Sequence, residues 1–249
     1  MPLNLLENDL STLTKFEWNL LSNIIHAYDE NNAINFTKSL LEHQSSLPPK
    51  LRSKSAITLD IVGYMYTSTQ SFIQRTRLFD DLTADDRRAL VQRNCETIGA
   101  YNSIFLVRET NALDYSSYLV GCCNIYGQKN YGEFKKFLSQ LEPNGIFIKL
   151  LILIIAFSSN CSIVRPDFTE HYTRITSPTS IIQIQNVIVT MFWKYLNYQY
   201  GFLGAVKCFN CLIKFILNLI RWSNDAPSAQ HIDMVDAIIE NTERSLTLE

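Results

Sequence analysis

The 249-residue chain carries 22 Lys and Arg against 24 Asp and Glu, a formal charge of -2, so it has no excess of positive charge with which to hold a nucleic-acid backbone. With 47% hydrophobic and 18% charged residues it has the composition of a globular domain, not of a disordered tail, and its length suits one large domain. Only 8 Gly and 7 Pro are present, too few turn-makers for a many-stranded sandwich, which predicts an all-α chain of long helices.

In chain order, residues 1–12 form a leader and Thr14 with Glu17 makes a capping box. Leu20, Leu21, Ile24, Ile25 and Tyr28 follow at helical spacing, with His26 on the surface of that helix. Residues 31–55, rich in Asn, Gln and Ser and holding Pro48-Pro49 and the basic cluster Lys50, Arg52 and Lys54, are predicted as a variable loop. A helix resumes at Ile57 and runs to about Arg77. Thr83, with an acid three residues later at Asp86, is an N-cap pattern that starts a new helix at about Ala84. That helix continues through an apolar stripe of Leu90, Cys95, Ile98, Phe105 and Leu106.

Residues 114–131 mix Tyr, Ser and Gly and are predicted as a small hairpin with a loop. Phe134, Phe137, Leu138 and Leu141 share a helical face, and Glu142-Pro-Asn-Gly145 is a turn by composition. The run IFIKLLILIIAF over 146–157 is about half the length a bilayer needs and contains Lys149, so it reads as a buried central helix. No transmembrane span and no membrane partner are expected. Ser177-Pro178 starts another helix, and Gly201 separates two long amphipathic segments, 181–200 and 202–222.

Motifs that carry chemistry are sparse. His26, His43, His171 and His231 are scattered, and the chain has no HExxH, phosphate-binding glycine loop, nucleophile elbow or zinc quartet, which argues against an enzyme and against a metal or cofactor. Cys95, Cys122, Cys123, Cys161, Cys208 and Cys211 read as reduced thiols. The lone CxxC, Cys208 to Cys211, lies in an apolar run and reads as core cysteine, not as a redox pair or half of a zinc module.

The stretch from Phe72 to Val91, FIQRTRLFDDLTADDRRALV, reads as aromatic-Ile-Gln, then Phe79, Leu82, Asp86-Arg87 and Leu90-Val91. These offsets resemble the signature of nuclear-receptor ligand-binding domains, with Gln74 where that family usually has Lys and Arg87 where it usually has Gln. Two further stretches resemble the family. Thr14 to Tyr28 is similar to its first helix, and Leu196-Asn-Tyr-Gln-Tyr-Gly201 with Leu212-Ile213, Ile216-Leu217 and Leu219-Ile220-Arg221 is similar to its late helical pair. Most members carry a Glu at the offset of Thr97, whereas this chain has Glu96 one residue early.

The resemblance implies a three-layer antiparallel helical sandwich of about ten to twelve helices with at most one small β-hairpin. Its lower half would enclose a cavity for a small lipophilic ligand, near Phe72, Ile73, Phe105 and Arg108. A coregulator groove would be lined by Gln70, Gln74, Arg87, Arg88 and Val91 and would take Leu-rich helical motifs of partner proteins. A terminal lid would fall on Met234, Val235, Asp236, Ile238 and Ile239, with Ala237 at the family's usual Glu position; alternatively 229–242 extends the preceding helix and 245–249 is a remnant lid. Leu212, Phe215, Ile216 and Leu219 would form the surface of a homodimer or heterodimer. Such a domain regulates transcription in the nucleus, or in nucleus and cytoplasm, and reaches DNA only through a separate zinc-binding domain that this sequence does not contain. A ligand-independent dimerisation or repressor module with a filled cavity and an altered lid is the alternative.

Overall fold

A computed structural model describes residues 12–159, 173–225 and 228–246, and every regular element among them is helical, as the scarcity of Gly and Pro predicts. Helix α1 (Lys15–Asp29) opens on the expected capping box: the Glu17 amide donates to Thr14 Oγ1 and the Thr14 amide to Glu17 Oε2. The same carboxylate receives Lys194 Nζ at 2.7 and 2.9 Å, which ties α1 to α9 (Pro178–Asp225). Burial raises the Glu17 carboxyl, but the hydrogen bonds from Lys194 and Thr14 outweigh it and its pKa is lowered on balance.

The predicted loop over 31–55 is instead mostly helical, as α2 (Ala33–Ser46) and α3 (Pro49–Arg52). Its polar composition conceals a narrow stripe, because Ala33, Thr37, Leu41 and Gln44 fall on one face and are all buried. Gln44 satisfies its buried amide by donating to Arg52 O and Thr58 Oγ1, both at 2.9 Å.

Helix α4 (Ser55–Gln74) leads through the short α5 (Arg77–Asp80) to α6 (Ala84–Glu109), which begins where the Thr83 cap predicts. Asp86 is fully buried at that junction. Its carboxylate accepts from the amides of Thr176 (2.6 Å) and Ser177 (3.2 Å) and from the hydroxyls of Thr83 and Thr176, locking the turn to the start of α9. Burial pushes this carboxyl up, the four donors pull it further down, and its pKa is lowered on balance.

Helix α6 is the centre of the molecule, buried without interruption from Thr97 to Val107 and packed against α4, α7 (Ser116–Gln140), α9, α8 (Gly145–Ala156) and α10 (Ala229–Leu246). Gly99 permits the close approach of Tyr66 on α4, because a Cβ there would lie 2.1 Å from the Tyr66 ring. The predicted hairpin over 114–131 is not formed. A 3₁₀ turn at Ala112–Asp114 leads into α7 (Ser116–Gln140), in which Tyr118, Gly121 and Ile125 bury a helical stripe; β-prone Tyr and Ser give way to that packing. Gly127, at φ 80°, breaks α7 and redirects residues 128–140.

Helix α8 is the buried central helix the sequence predicts, capped by Asn144 at its start and by Asn94 at its end, where Asn94 Nδ2 donates to Ala156 O and Ser158 O. Gly201, at φ 66°, divides α9 as expected. The halves fold back on each other, since the Phe209 ring lies 6.3 Å from Phe192 and 5.9 Å from Trp193, pairs that one continuous helix would hold about 24 Å apart.

By length and composition alone Pro178–Ser223 is long and apolar enough to cross a membrane, but Gly201 folds it into two shorter halves that pack on each other. Part of its apolar surface faces the core. Leu212, Phe215, Ile216 and Leu219, the expected dimer surface, are all buried there. The exposed face is rotated by one position, with Leu203 75%, Ile213 41% and Leu217 61% accessible. The helix is apolar on both sides, so periodicity could not choose between them.

Candidate functional site

Helix α10 lies across the groove between α4 and α6, running with α4 and against α6. Its apolar face is set by spacing: His231, Val235, Ile238, Thr242 and Leu246 form one buried stripe. At its first turns Met234 covers Gly63, where a Cβ would stand in ordinary contact with the thioether at 3.5 Å. Near its end Gln74 Nε2 donates to Ser245 Oγ at 3.4 Å and Gln92 Nε2 donates to Glu243 Oε1 at 2.6 Å. Of the expected lid residues, Val235 and Ile238 are buried, Met234 and Ile239 half-buried and Asp236 exposed. Both apolar pairs of the first form and Ser245 of the second belong to a single helix of 18 residues, and 247–249 of the second form lie outside the described residues.

This helix meets two of the expected groove residues, Gln74 through Ser245 and Arg88 beside Glu240 and Glu243. Gln70 and Val91 are buried, Gln74, Arg87 and Arg88 half-buried, and Arg88 pairs with Asp85 at 3.2 Å. The expected ligand-pocket residues are elsewhere. Phe72, Ile73 and Phe105 are core side chains, the Tyr28 ring standing 5.1 Å from Phe72 and 5.9 Å from Phe105. Arg108 stacks over Phe105 and donates to Glu142 O at 2.6 Å, fastening the turn between α7 and α8.

A cavity adjoins the first turn of α10, and none of those four residues lines it. Val62 and Tyr66 of α4, Glu96, Ala100 and Ser103 of α6, and His231 form one side. Tyr118, Tyr126, Tyr131 and Phe134 of α7, with Trp222 of α9, form the other. The enclosed space is ≈ 70 Å³, far below the roughly 300–1,000 Å³ of a site that engulfs a drug-sized ligand. Ring-bearing side chains from three helices fill the rest.

His231 is the polar hub of the cavity. Its Nε2 lies 3.1 Å from Glu96 Oε2 and 3.4 Å from the Tyr66 hydroxyl, and its Nδ1 lies 2.9 Å from the Tyr126 hydroxyl. An ionised carboxylate only accepts, so Nε2 donates to Glu96, and in the neutral ring Nδ1 accepts from Tyr126. Tyr66 also donates to Glu96 Oε1 at 3.2 Å. Burial keeps both tyrosine hydroxyls protonated by raising them well above their usual range. The quartet thus joins α4, α6, α7 and α10.

Three further polar atoms of the cavity lining, Ser103 Oγ, the Tyr131 hydroxyl and Trp222 Nε1, are buried without a hydrogen-bond partner, each at a cost of about 1–3 kcal/mol. Sequence reasoning missed the whole constellation, because its members come from four separate segments. The one available signal was Glu96 itself, displaced by one residue from the family position and here paired with His231.

Among the described residues no group of His, Cys, Asp and Glu could hold a metal. Cys208 and Cys211 are free thiols. Burial and the Glu142 carboxylate, 3.3 Å away, push the Cys208 thiol up to about 12, so it is a poor nucleophile. Compared with known proteins, the chain matches no family model and no curated protein.

Proposed function

We propose that this chain is a regulatory, protein-binding domain of nuclear-receptor ligand-binding type, a three-layer helical sandwich whose partner groove is covered at rest by its own terminal helix. The reading rests on one observation above the others: α10 lies on α4 and α6 over the surface where the signature resemblance puts the coregulator groove. The spacing of Val235, Ile238 and Ile239 supports it, because this is the apolar-x-x-apolar-apolar pattern that a Leu-x-x-Leu-Leu partner helix would present. In this reading α10 is a partner mimic supplied in cis, and an incoming helix binds only as far as α10 yields.

The small cavity favours the ligand-independent form of the reading over one gated by a large lipophilic molecule. Repression or constitutive assembly, with nuclear partners of Leu-rich helical motif, is then the resting activity. The exposed Leu203, Ile213 and Leu217 face of α9 suits a second copy of the chain or a related domain.

The test is titration of a fluorescent Leu-x-x-Leu-Leu peptide into the full chain and into a Val235→Asp, Ile238→Asp double variant. The double variant is expected to bind about tenfold more tightly or better, since two buried apolar contacts that hold α10 down are lost. Equal affinity for the two proteins, or no binding to a folded double variant, would contradict the proposal.

A further inference from the structure

The three unpartnered polar atoms and a second, outer basin point to a ligand site that crosses the wall between α7 and α9. The basin has a volume of ≈ 430 Å³ and is lined by Lys129, Lys136 and Arg221 against one carboxylate, Glu133. Among the described residues neither Lys129 nor Lys136 takes part in an ion pair. Asn130 and Trp222 line both this basin and the inner cavity, so a single layer of side chains separates the two. The inner side of that layer presents the unpartnered Tyr131 hydroxyl and Trp222 N–H, and the inner cavity is also lined by Ser103 of α6, only 8% exposed, with its Oγ unpartnered.

The chemistry of the two compartments differs. The outer one carries an excess of positive charge beside the apolar faces of Phe137 and Trp222, the setting of an anionic group attached to an apolar body. In the inner one an indole N–H can only donate, while two hydroxyls can donate or accept, so a neutral oxygen satisfies all three. On the helical segment 128–140, Tyr131 faces inward and Lys136 outward, about 8 Å apart along the axis. An extended chain of about eight atoms covers that distance.

We infer that the α7–α9 wall binds an amphipathic monoanion whose acidic group lies between Lys129 and Lys136 and whose far end carries a hydroxyl or carbonyl oxygen that enters the inner cavity past Trp222. The inference stands apart from the receptor-type reading of the groove, because it does not use the signature and its anionic subsite contains no residue of α10. Water alone is the competing occupant of the inner cavity, and it would give no selectivity for the acid or for its far oxygen.

Calorimetric titration of the full chain with 8-hydroxyoctanoate, octanoate and 1,8-octanediol separates these outcomes. The hydroxy acid is expected to bind most tightly, octanoate about fivefold more weakly for the loss of one neutral hydrogen bond, and the diol about tenfold more weakly and without salt dependence. Lys129→Gln with Lys136→Gln should weaken both acids about tenfold and leave the diol unchanged. Ser103→Ala should erase the preference for the hydroxy acid, and Tyr131→Phe serves the same purpose should the first variant perturb the core. Neither of these should lower the melting temperature of the free protein, because each removes an unpartnered group. Equal binding of the three probes, no binding at millimolar concentration, or acid binding untouched by the double Lys variant would overturn the inference.

Discussion

Helices α8 and α10 both lie against α6, yet they are held in opposite ways. α8 buries every residue from Phe147 to Leu153, and Ile155 and Ala156 as well, so its packing surrounds it. α10 buries one stripe and turns Asp233, Asp236, Ala237, Glu240 and Asn241 to solvent. A helix that is apolar all round has no stable place outside the core, whereas one with a single stripe can exchange that face for another apolar surface. α8 is therefore part of the fold, and α10 is a cover laid upon it. The polar contacts sharpen the contrast. Asn94 caps α8 from within the core, while α10 is fastened by bonds at its two ends, through His231 at one and Ser245 and Glu243 at the other.

This difference can be broken at several points, with effects of decreasing size. Leu153→Ala, deep in α8, should cost about 3 kcal/mol of global stability in urea denaturation without exposing the groove selectively. Next comes the Asp86 junction, where Asp86→Asn should cost about 2 kcal/mol by weakening bonds to the Thr176 and Ser177 amides.

The same residue predicts a pH dependence. Its folded pKa lies below its unfolded value, so its contribution is complete above about pH 4 and is lost as the pH falls through the folded value. Denaturation midpoints of the native sequence should drop in that acid window, and those of Asp86→Asn should drop less. His231→Ala should cost about 1–2 kcal/mol, felt as easier opening of α10 and not as global unfolding, since it removes the α10 member of the cavity quartet. The smallest effect is expected at Cys208, whose thiol should resist alkylation near neutral pH while the exposed Cys211 reacts.

Local signals were the legible part of this molecule. Thr14 with Glu17, Thr83 with Asp86, Pro178 and Gly201 act within a turn of their own position, and each marks the element boundary it predicts. The run over 146–157 could be read because its apolar character has no alternative destination. Where the sequence misled, the deciding partner was distant. Gln44 looks like a loop residue until Thr58 and Arg52 are placed beside it, and Tyr118 looks β-prone until it is buried on one stripe of α7. The rotated face of α9 and the grouping of Tyr66, Glu96, Tyr126 and His231 likewise depend on tertiary contacts that leave no periodic trace.

The most direct measurement is amide hydrogen exchange resolved along the full chain, with and without the Leu-x-x-Leu-Leu peptide. Amides of 232–246 should exchange by local opening well before those of 148–156, and saturating peptide should speed exchange in α10 while slowing it in the first turns of α6. Exchange of both helices together at the global unfolding rate, or peptide protection with no change in α10, would contradict the account of α10 as a removable cover.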